Sequence, residues 1–582
     1  MPVSRARTVR RAGLLAGLIA VLFLLLLVGA LAEVLLLVVV ASLGLHAAEL
    51  LLHRSVATAF PRQVDVVEAQ LHARLLLEQV LVLVFLLRAD VLAATAEVVV
   101  VVAVVVHQLL RTAWSGLQLA DVRLRARRAE LRNLPSDVPP LPGRPASLRP
   151  QALQLLAHSA ALLPLALLVH LLGSTALVAP AAVAMALVAL AVVASATPSV
   201  LALLRLPRGA QLLRRVHEAV LRHEPLVVLY STGGPDDAYW VTTWLDTLEV
   251  LDRRAVVMLR DPDVVDLLPD SSIPYVCLPG PGDVAPFDLP TARVSLFVAN
   301  GAENVRLVRN PELRSAFIGH GDSDKVVSAS PAVKVYDEVW VAGEAGRRRY
   351  EVAGVGVRED ALRIVGRPQV RRVQHTPPSA DRDFTVMYAP TWEGVFRGAY
   401  DSSLVHSGRP VVQTLLDSGV RVVYRPHPKT GMRDPAFRTA HEDVLALLRR
   451  AGAPHRVSDP DRDDLTDDFN AVHALVADVS AVVSDFLAST KPYFVVNGAG
   501  LPDAEFRQRY PSSAGAYLVG PGGAGLAEGL ADARGSDSLR EQRLAIRTDL
   551  LGPLTEDPLE LFRRAVDELA ATAPGARPGA PG

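Results

Sequence analysis

The chain has 582 residues, half of them hydrophobic, and a formal net charge of -1. That length exceeds what one hydrophobic core can serve, so three or four folding units are expected. Cys277 is the only cysteine, which excludes an internal disulfide and any multi-cysteine metal site and suits a reducing setting for the soluble part.

From the amino terminus, Gly13 to Ala32 is an uncharged apolar run, preceded by Arg5, Arg7, Arg10 and Arg11 and followed by Glu33 and further apolar sequence from Val34 to Leu45. It is long enough to cross a bilayer. A cleavable signal peptide is the competing reading, but the run exceeds an h-region and more spans follow. Val98 to Val106 is all valine and alanine, with weaker apolar sequence from Val80 to Leu87 and from Val91. Leu153 to Leu172 and Ala176 to Ala196 read as a hairpin broken near Gly173 and Pro180. The expectation is a transmembrane region over 1–206 with about four spans. Three arginine-rich flanks are expected on the cytoplasmic side: the amino terminus, the segment from Arg123 to Arg132, and the exit from Arg205 to Arg215. An even number of helices satisfies that and leaves the remainder cytosolic. His158 and His170 fall inside the hairpin, where neutral histidines bonded within the bundle compete with a functional role.

After Arg208 short apolar runs alternate with amphipathic stretches. Leu226–Tyr230, Ala255–Leu259, Val294–Val298, Phe317–Ile318 and Val339–Val341 read as buried strands, with a helix from Ala238 to Leu251. A linker at Arg367 to Asp383 precedes a second series: Thr385–Tyr388, Val420–Tyr424, Val472–Val476, Ala481–Ser484 and Tyr493–Val496. Alternation of this kind predicts α/β domains with parallel sheets and a cleft between them. The expected boundaries are 207–375 for the first domain, 376–572 for the second, and 573–582 for a disordered tail rich in Pro, Gly and Ala.

Lysine is used four times, at Lys325, Lys334, Lys429 and Lys491, at or beside three segments that follow predicted strands. In an arginine-rich chain a retained lysine suggests a need for a compact ammonium. The segments are Gly319 to Lys325, containing His320; Arg425 to Lys429, with His427 between two prolines; and Asp478 through Ser480 and Ser484 to Asp485. Strand carboxyl ends are where α/β sheets collect ligands, and glycines beside His320 permit close backbone approach. Taken singly, these are also a turn histidine, a rigid corner and a helix cap; together they predict one anionic site. The acidic run Asp459 to Asp468 lacks the glycine and terminal glutamate of a calcium loop and reads as a solvated loop. Ser231-Thr232-Gly233-Gly234 lacks full phosphate-loop spacing.

From about Glu224 to Arg564 the chain resembles the CDP-glycerol glycerophosphotransferase family that builds teichoic-acid chains. The resemblance rests on His320-Gly321-Asp322-Ser323-Asp324-Lys325, on Tyr388 to Trp392 (Tyr-Ala-Pro-Thr-Trp), on His427-Pro428, and on Asp478-Val479-Ser480-Ala481 running to Ser484-Asp485-Phe486. Two departures stand out: Asp322-Ser323-Asp324 replaces Thr-Pro-Leu, and Glu393 follows Trp392 where a basic residue is frequent. The resemblance implies a GT-B-like pair of Rossmann-type domains and attack of an acceptor hydroxyl on the β-phosphorus of CDP-glycerol or a related CDP-alditol, releasing CMP. It places His320, with Asp322 or Asp324 orienting it or taking its role, as catalytic base. It places Lys325, Thr391, Arg425, His427, Lys429, Asp478, Ser480, Ser484 and Asp485 at the donor and its phosphates. Asp478 and Asp485 serve equally well as loop braces. The scheme requires no metal and no cofactor. The expected partners are the CDP donor, a lipid-linked or polymer acceptor and the plasma membrane, with no nucleic acid. Alternatives are a GT-B glycosyltransferase using a nucleotide sugar and a non-enzymatic receptor that kept the fold.

Overall fold

The computed structural model describes residues 3–59, 64–126, 128–171, 173–207, 209–280, 282–321, 329–375, 384–394, 402–432, 434–460, 462–498 and 500–574. It divides into a helical unit, residues 1–127 with 139–207, and an α/β unit, residues 128–138 with 208–582.

The helical unit comprises α1 (Val3–Leu31), α2 (Leu35–Ala59), α3 (Val64–Arg88), α4 (Ala94–Arg125), α5 (Pro150–Ser159), α6 (Leu162–His170) and α7 (Val178–Arg205). Among the described residues, four stretches are long and apolar enough to cross a membrane: Leu14–Leu31, Leu35–Leu52, Ala94–Arg125 and Val178–Arg205. The total of four agrees with expectation, but the membership differs. Leu35–Leu52 is a helix in its own right, whereas the first limb of the expected hairpin breaks between α5 and α6. Pro164 explains the break, since it lacks an N–H and its ring collides with the carbonyl four residues earlier, at Ala160. Leu26, Val38, Phe85, Val104, Leu167 and Met185 pack the interior of this unit. Two polar pairs lie inside it: Arg74 bonds Glu49 through Nη2 at 2.9 Å, and His46 Nε2 lies 3.2 Å from Glu78. His158 sits beside His46, ring centroids 6.2 Å apart, while the Nδ1 of His170 has no partner among the described residues.

The α/β unit holds two sheets. The first is built from β1 (Glu130–Arg132), β2 (Val227–Ser231), β3 (Ala255–Leu259), β4 (Tyr275–Cys277), β5 (Val294–Phe297), β6 (Arg314–Phe317), β7 (Glu338–Val341) and β8 (Leu362–Ile364), in spatial order β1-β4-β3-β2-β5-β6-β7-β8. All neighbours are parallel except β1, which runs antiparallel to β4 with Leu131 opposite Val276. β1 thus lies inside the stretch expected to be membrane region, yet it forms the edge of the first α/β sheet. The second sheet, entirely parallel, is β11-β10-β9-β12-β13-β14, from β9 (Thr385–Ala389), β10 (Arg421–Tyr424), β11 (Arg456–Val457), β12 (Ala474–Ala477), β13 (Tyr493–Val496) and β14 (Tyr517–Val519). Each sheet reverses direction of growth once, between β2 and β5 and between β9 and β12, the strand order of a doubly wound Rossmann-type domain.

Strand sequences with no polar alternation follow from helices on both faces. In β2, Val228 and Tyr230 enter one core with Leu212 and Val216 of α8 (Gly209–His223), while Val227 and Leu229 enter the other with Trp244 and Leu248 of α9 (Tyr239–Glu249). The last helix, Pro558–Ala571, is capped by Asp557, which accepts the Leu559 N–H at 2.9 Å. It packs on the first sheet: Phe562 is fully buried against Trp244 and Trp340, with ring centroids at 5.3 and 5.2 Å. A chain segment expected in the second domain therefore completes the core of the first. The fold is α/β, a GT-B-like pair of Rossmann-type domains with an apolar helical region before them.

Candidate active site

Ligand-binding loops in such sheets leave the carboxyl ends of the strands. After β6, Gly319 takes a φ of +62°, a conformation that favours glycine, and its carbonyl accepts the Trp244 indole N–H at 2.7 Å. His320 follows, half-buried, its ring stacked on Trp240 (5.0 Å, 17°) and edge-on to Tyr239 (5.5 Å, 89°). Nδ1 of His320 lies 2.9 Å from the Val298 carbonyl. A carbonyl only accepts, so Nδ1 carries the proton and Nε2 keeps a lone pair. Burial pushes the His320 pKa below its ordinary value and Arg367 and Lys429 push the same way, while the Val298 carbonyl and Asp237 oppose them. The ring is therefore a neutral acceptor at neutral pH.

The loop after β10 has the opposite polarity. Pro426 and Pro428 flank His427, and the Lys429 backbone N–H donates to Nδ1 of His427 at 3.1 Å. The neutral ring must then carry its proton on Nε2, as a donor. Trp392, from the loop after β9, stacks on His427 at 5.6 Å and 16°. Glu393, the departure at the next position, braces this loop by accepting the Gly431 and Asp434 N–H groups at 3.0 and 3.3 Å.

Lys429 joins the two halves. Its Nζ donates to Asp237 at 3.0 Å and lies 5.3 Å from the Tyr239 ring centroid and 5.5 Å from that of Trp392. Tyr239 thus touches His320 on one side and Lys429 on the other, so the histidine and lysine segments of separate domains meet around one aromatic ring. A second contact is at Gly321, where an added Cβ would lie 3.2 Å from the Ala481 Cβ. Asp322, Asp324 and Lys325 lie outside the described residues.

The remaining expected residues divide by role. Asp478 is fully buried and accepts the Thr391 N–H at 2.8 Å and the Ser403 N–H at 3.0 Å, bracing the β9 loop. Arg425 turns away from the cleft: Nη1 donates to Ser458 and Asp468 at 2.7 Å each and Nη2 to the Asp463 carbonyl at 3.0 Å. Asp485 pairs with Arg367, which ties the end of the first domain to the second. Ala481–Phe486 is a helix, not the expected strand, so Ser480 and Ser484 do not bracket a strand edge. Their hydroxyls are buried without a hydrogen-bond partner among the described residues. Lys491 is a structural clasp, donating to the Phe469 and Val472 carbonyls at 2.8 and 2.9 Å, and burial pushes its pKa down to about 8. The acidic run is not a free loop: Asp464 caps the helix Leu465–Ala471 and Asp468 is buried with Arg425.

Asp237, Tyr239 and Trp240 escaped the sequence reading. The available signal was Ser231-Thr232-Gly233-Gly234, judged only as a phosphate loop. A Cβ at Gly233 would lie 2.7 Å from the Asp237 Cβ and 2.9 Å from the Trp240 ring, so that glycine makes room for the residues that flank His320.

Residues 321–498 match the family CDP-glycerol:poly(glycerophosphate) glycerophosphotransferase. This segment belongs to that family. The match begins within the His320 loop and spans the Trp392, His427 and Asp478 loops. On that match, residues 321–498 carry an enzyme segment of the CDP-glycerol glycerophosphotransferase type. The match is narrower than the resemblance read from the sequence, which began near Glu224. No curated relative matches the chain by sequence. Among solved structures, the wall teichoic acid polymerase TagF is similar at 13% identity over 61% of this chain and 93% of its own, with a TM-score of 0.40. A putative UDP-N-acetylglucosamine 2-epimerase from Listeria monocytogenes shows 12% identity over 60% of this chain and 96% of its own, TM-score 0.40.

Proposed function

We propose that the protein is a membrane-bound glycerophosphotransferase that moves glycerol phosphate, or a related polyol phosphate, from its CDP donor to a cell-wall or lipid-linked acceptor. The acceptor oxygen attacks the β-phosphorus while its proton passes to Nε2 of His320. A new P–O bond forms, the bond to the bridging oxygen breaks, and CMP leaves with that electron pair. Charge gathers on the phosphate oxygens, where His427 Nε2–H and the Lys429 ammonium are the fitting partners and the Ser480 and Ser484 hydroxyls offer further donors. Asp237 would hold Lys429 and stabilise protonated His320 as it forms. Arg425, Thr391, Asp478 and Asp485 support the loops. The apolar helices and arginine-rich flanks favour a multi-pass plasma-membrane protein with its catalytic domains on the cytoplasmic side, which would keep the cleft near a lipid-linked acceptor.

The observation that carries the reading is the meeting of an acceptor imidazole and a donor imidazole around Tyr239 and Lys429. The test is incubation of the full chain in membranes with labelled CDP-glycerol, CDP-ribitol, UDP-sugars and GDP-sugars. CMP release from a CDP-alditol with label entering a phosphodiester is expected. Turnover of a nucleotide sugar alone would replace this reading with a glycosyltransferase.

A further inference from the structure

Trp240 stands in the first turn of α9 and has no part in the proton transfer proposed for His320. Yet its indole lies nearly parallel to that imidazole, ring centroids 5.0 Å apart and planes 17° from each other. Packing holds it there. A Cβ at Gly233 would lie 2.9 Å from the indole, and Nε1 is buried without a hydrogen-bond partner among the described residues, so contact and not a directed bond sets the ring plane. The His320 ring is held as well by its Nδ1–H to the Val298 carbonyl at 2.9 Å and by the perpendicular Tyr239 ring.

With Nδ1 committed to Val298, Nε2 is the nitrogen open to a proton. A proton arriving there makes an imidazolium whose charge spreads over a ring already lying against an electron-rich indole face. Such a face attracts a cation within about 6 Å of its centroid, indole most strongly among the aromatic side chains, and more so where water is displaced. The attraction is weak toward the neutral ring and strong toward the charged one, so it favours the transition state over the ground state. The second domain supplies a contrast. Trp392 stacks on His427 at nearly the same tilt, 16°, but also lies 5.5 Å from the Lys429 ammonium, so it meets a cation before any reaction. Among the described residues no Lys or Arg cation lies over Trp240, which leaves its face to the imidazolium.

We infer that Trp240 is a positioning residue for the transfer: its indole face holds the plane of the His320 ring and stabilises the imidazolium formed when Nε2 takes the acceptor proton. The inference rests on the transferase reading and adds to it a residue outside the matched segment 321–498. The charged groups acting on His320 among the described residues are Arg367, Asp237 and Lys429, and substitution of Trp240 leaves all three in place.

The test uses the full chain in membranes with labelled CDP-glycerol and a short glycerol phosphate oligomer as acceptor, comparing wild type with Trp240→Phe and Trp240→Leu. Phenylalanine keeps a weaker aromatic face, and leucine keeps only apolar bulk. The expected result is a fall in kcat of about tenfold for leucine and a smaller fall for phenylalanine, with KM for CDP-glycerol unchanged. The acid limb of kcat/KM should move to lower pH in the same order, because a face that favours the charged ring raises its proton affinity. A packing role alone gives the opposite sign: looser packing admits water, relieves the burial that depresses the ring, and moves the limb to higher pH. An unmoved limb, a limb at higher pH, or a rise in donor KM alongside the fall in kcat overturns the assignment. Should leucine unfold the domain, the phenylalanine protein alone gives the sign. If wild type transfers nothing from a CDP-alditol, the transferase reading fails separately. The ¹⁵N titration of His320 in the same proteins, assigned with His320→Gln, then decides the role of the indole: a midpoint that falls from wild type through phenylalanine to leucine upholds it, and equal or rising midpoints overturn it.

Discussion

The two domains of the α/β unit share a strand order and differ in the loops that leave it. In the first, the loop after β6 is built on glycine, and His320 gives its Nδ1 proton to a carbonyl. In the second, the loop after β10 is built on proline, and His427 receives a backbone N–H on Nδ1. Topology fixes where each imidazole stands, and the loop backbone fixes which nitrogen holds its proton. One duplicated architecture therefore yields one acceptor and one donor, the pair that the proposed transfer would use for proton removal and phosphate binding.

The strongest way to break that comparison is at the acceptor. His320→Gln should lower the transfer rate by about 10²–10⁴-fold, the usual contribution of a positioned base, while CDP-glycerol binding by calorimetry stays near wild type. Parallel loss of binding would place His320 on the donor instead. Next in size is stability, where the domains differ because the last helix completes only the first sheet. Phe562→Ala, at a fully buried site between Trp244 and Trp340, should cost about 3–5 kcal/mol. Hydrogen exchange should rise in β2, β5 and β7 more than in β9 and β12; equal loosening of both sheets would contradict the division.

At the donor, His427→Ala should weaken CDP-glycerol binding by about 10–100-fold, matching the loss of a hydrogen bond to a charged group, and unchanged affinity would remove His427 from the donor site. The smallest effects are on pH. A base must be deprotonated to act, so kcat/KM falls as pH drops through its pKa, and the depressed pKa of His320 puts that limb below 6.5. Asp237 raises the His320 pKa and Lys429 lowers it. Asp237→Asn should therefore move the limb to lower pH and Lys429→Met to higher pH; shifts in the same direction would refute the arrangement.

Most strands were legible because doubly buried parallel strands are unbroken apolar runs: Ala255–Leu259 and Tyr493–Val496 coincide with β3 and β13. Ala481–Ser484 misled for the same reason, since a short apolar stretch fits a buried helix as well as a strand. β1 was hidden because Glu130–Arg132 is polar and is a strand only through β4, remote in sequence. The placement of His320, His427 and Lys429 in loops that leave strand ends was legible in the sequence. Arg425 was misread because its partner Asp468 is brought close only by the β10–β11 pairing and the following helix. Asp237 and Tyr239 carry no motif, and their proximity to Lys429 exists only when the two domains meet.

The most direct test of the divided roles is side-chain ¹⁵N NMR of the full chain, with His320→Gln and His427→Ala used to assign the two rings, before and after one equivalent of CDP-glycerol. The predicted result is His320 protonated on Nδ1, His427 protonated on Nε2, and both signals shifted by the one ligand. Both rings in the same tautomer, or a shift confined to one of them, would contradict the account.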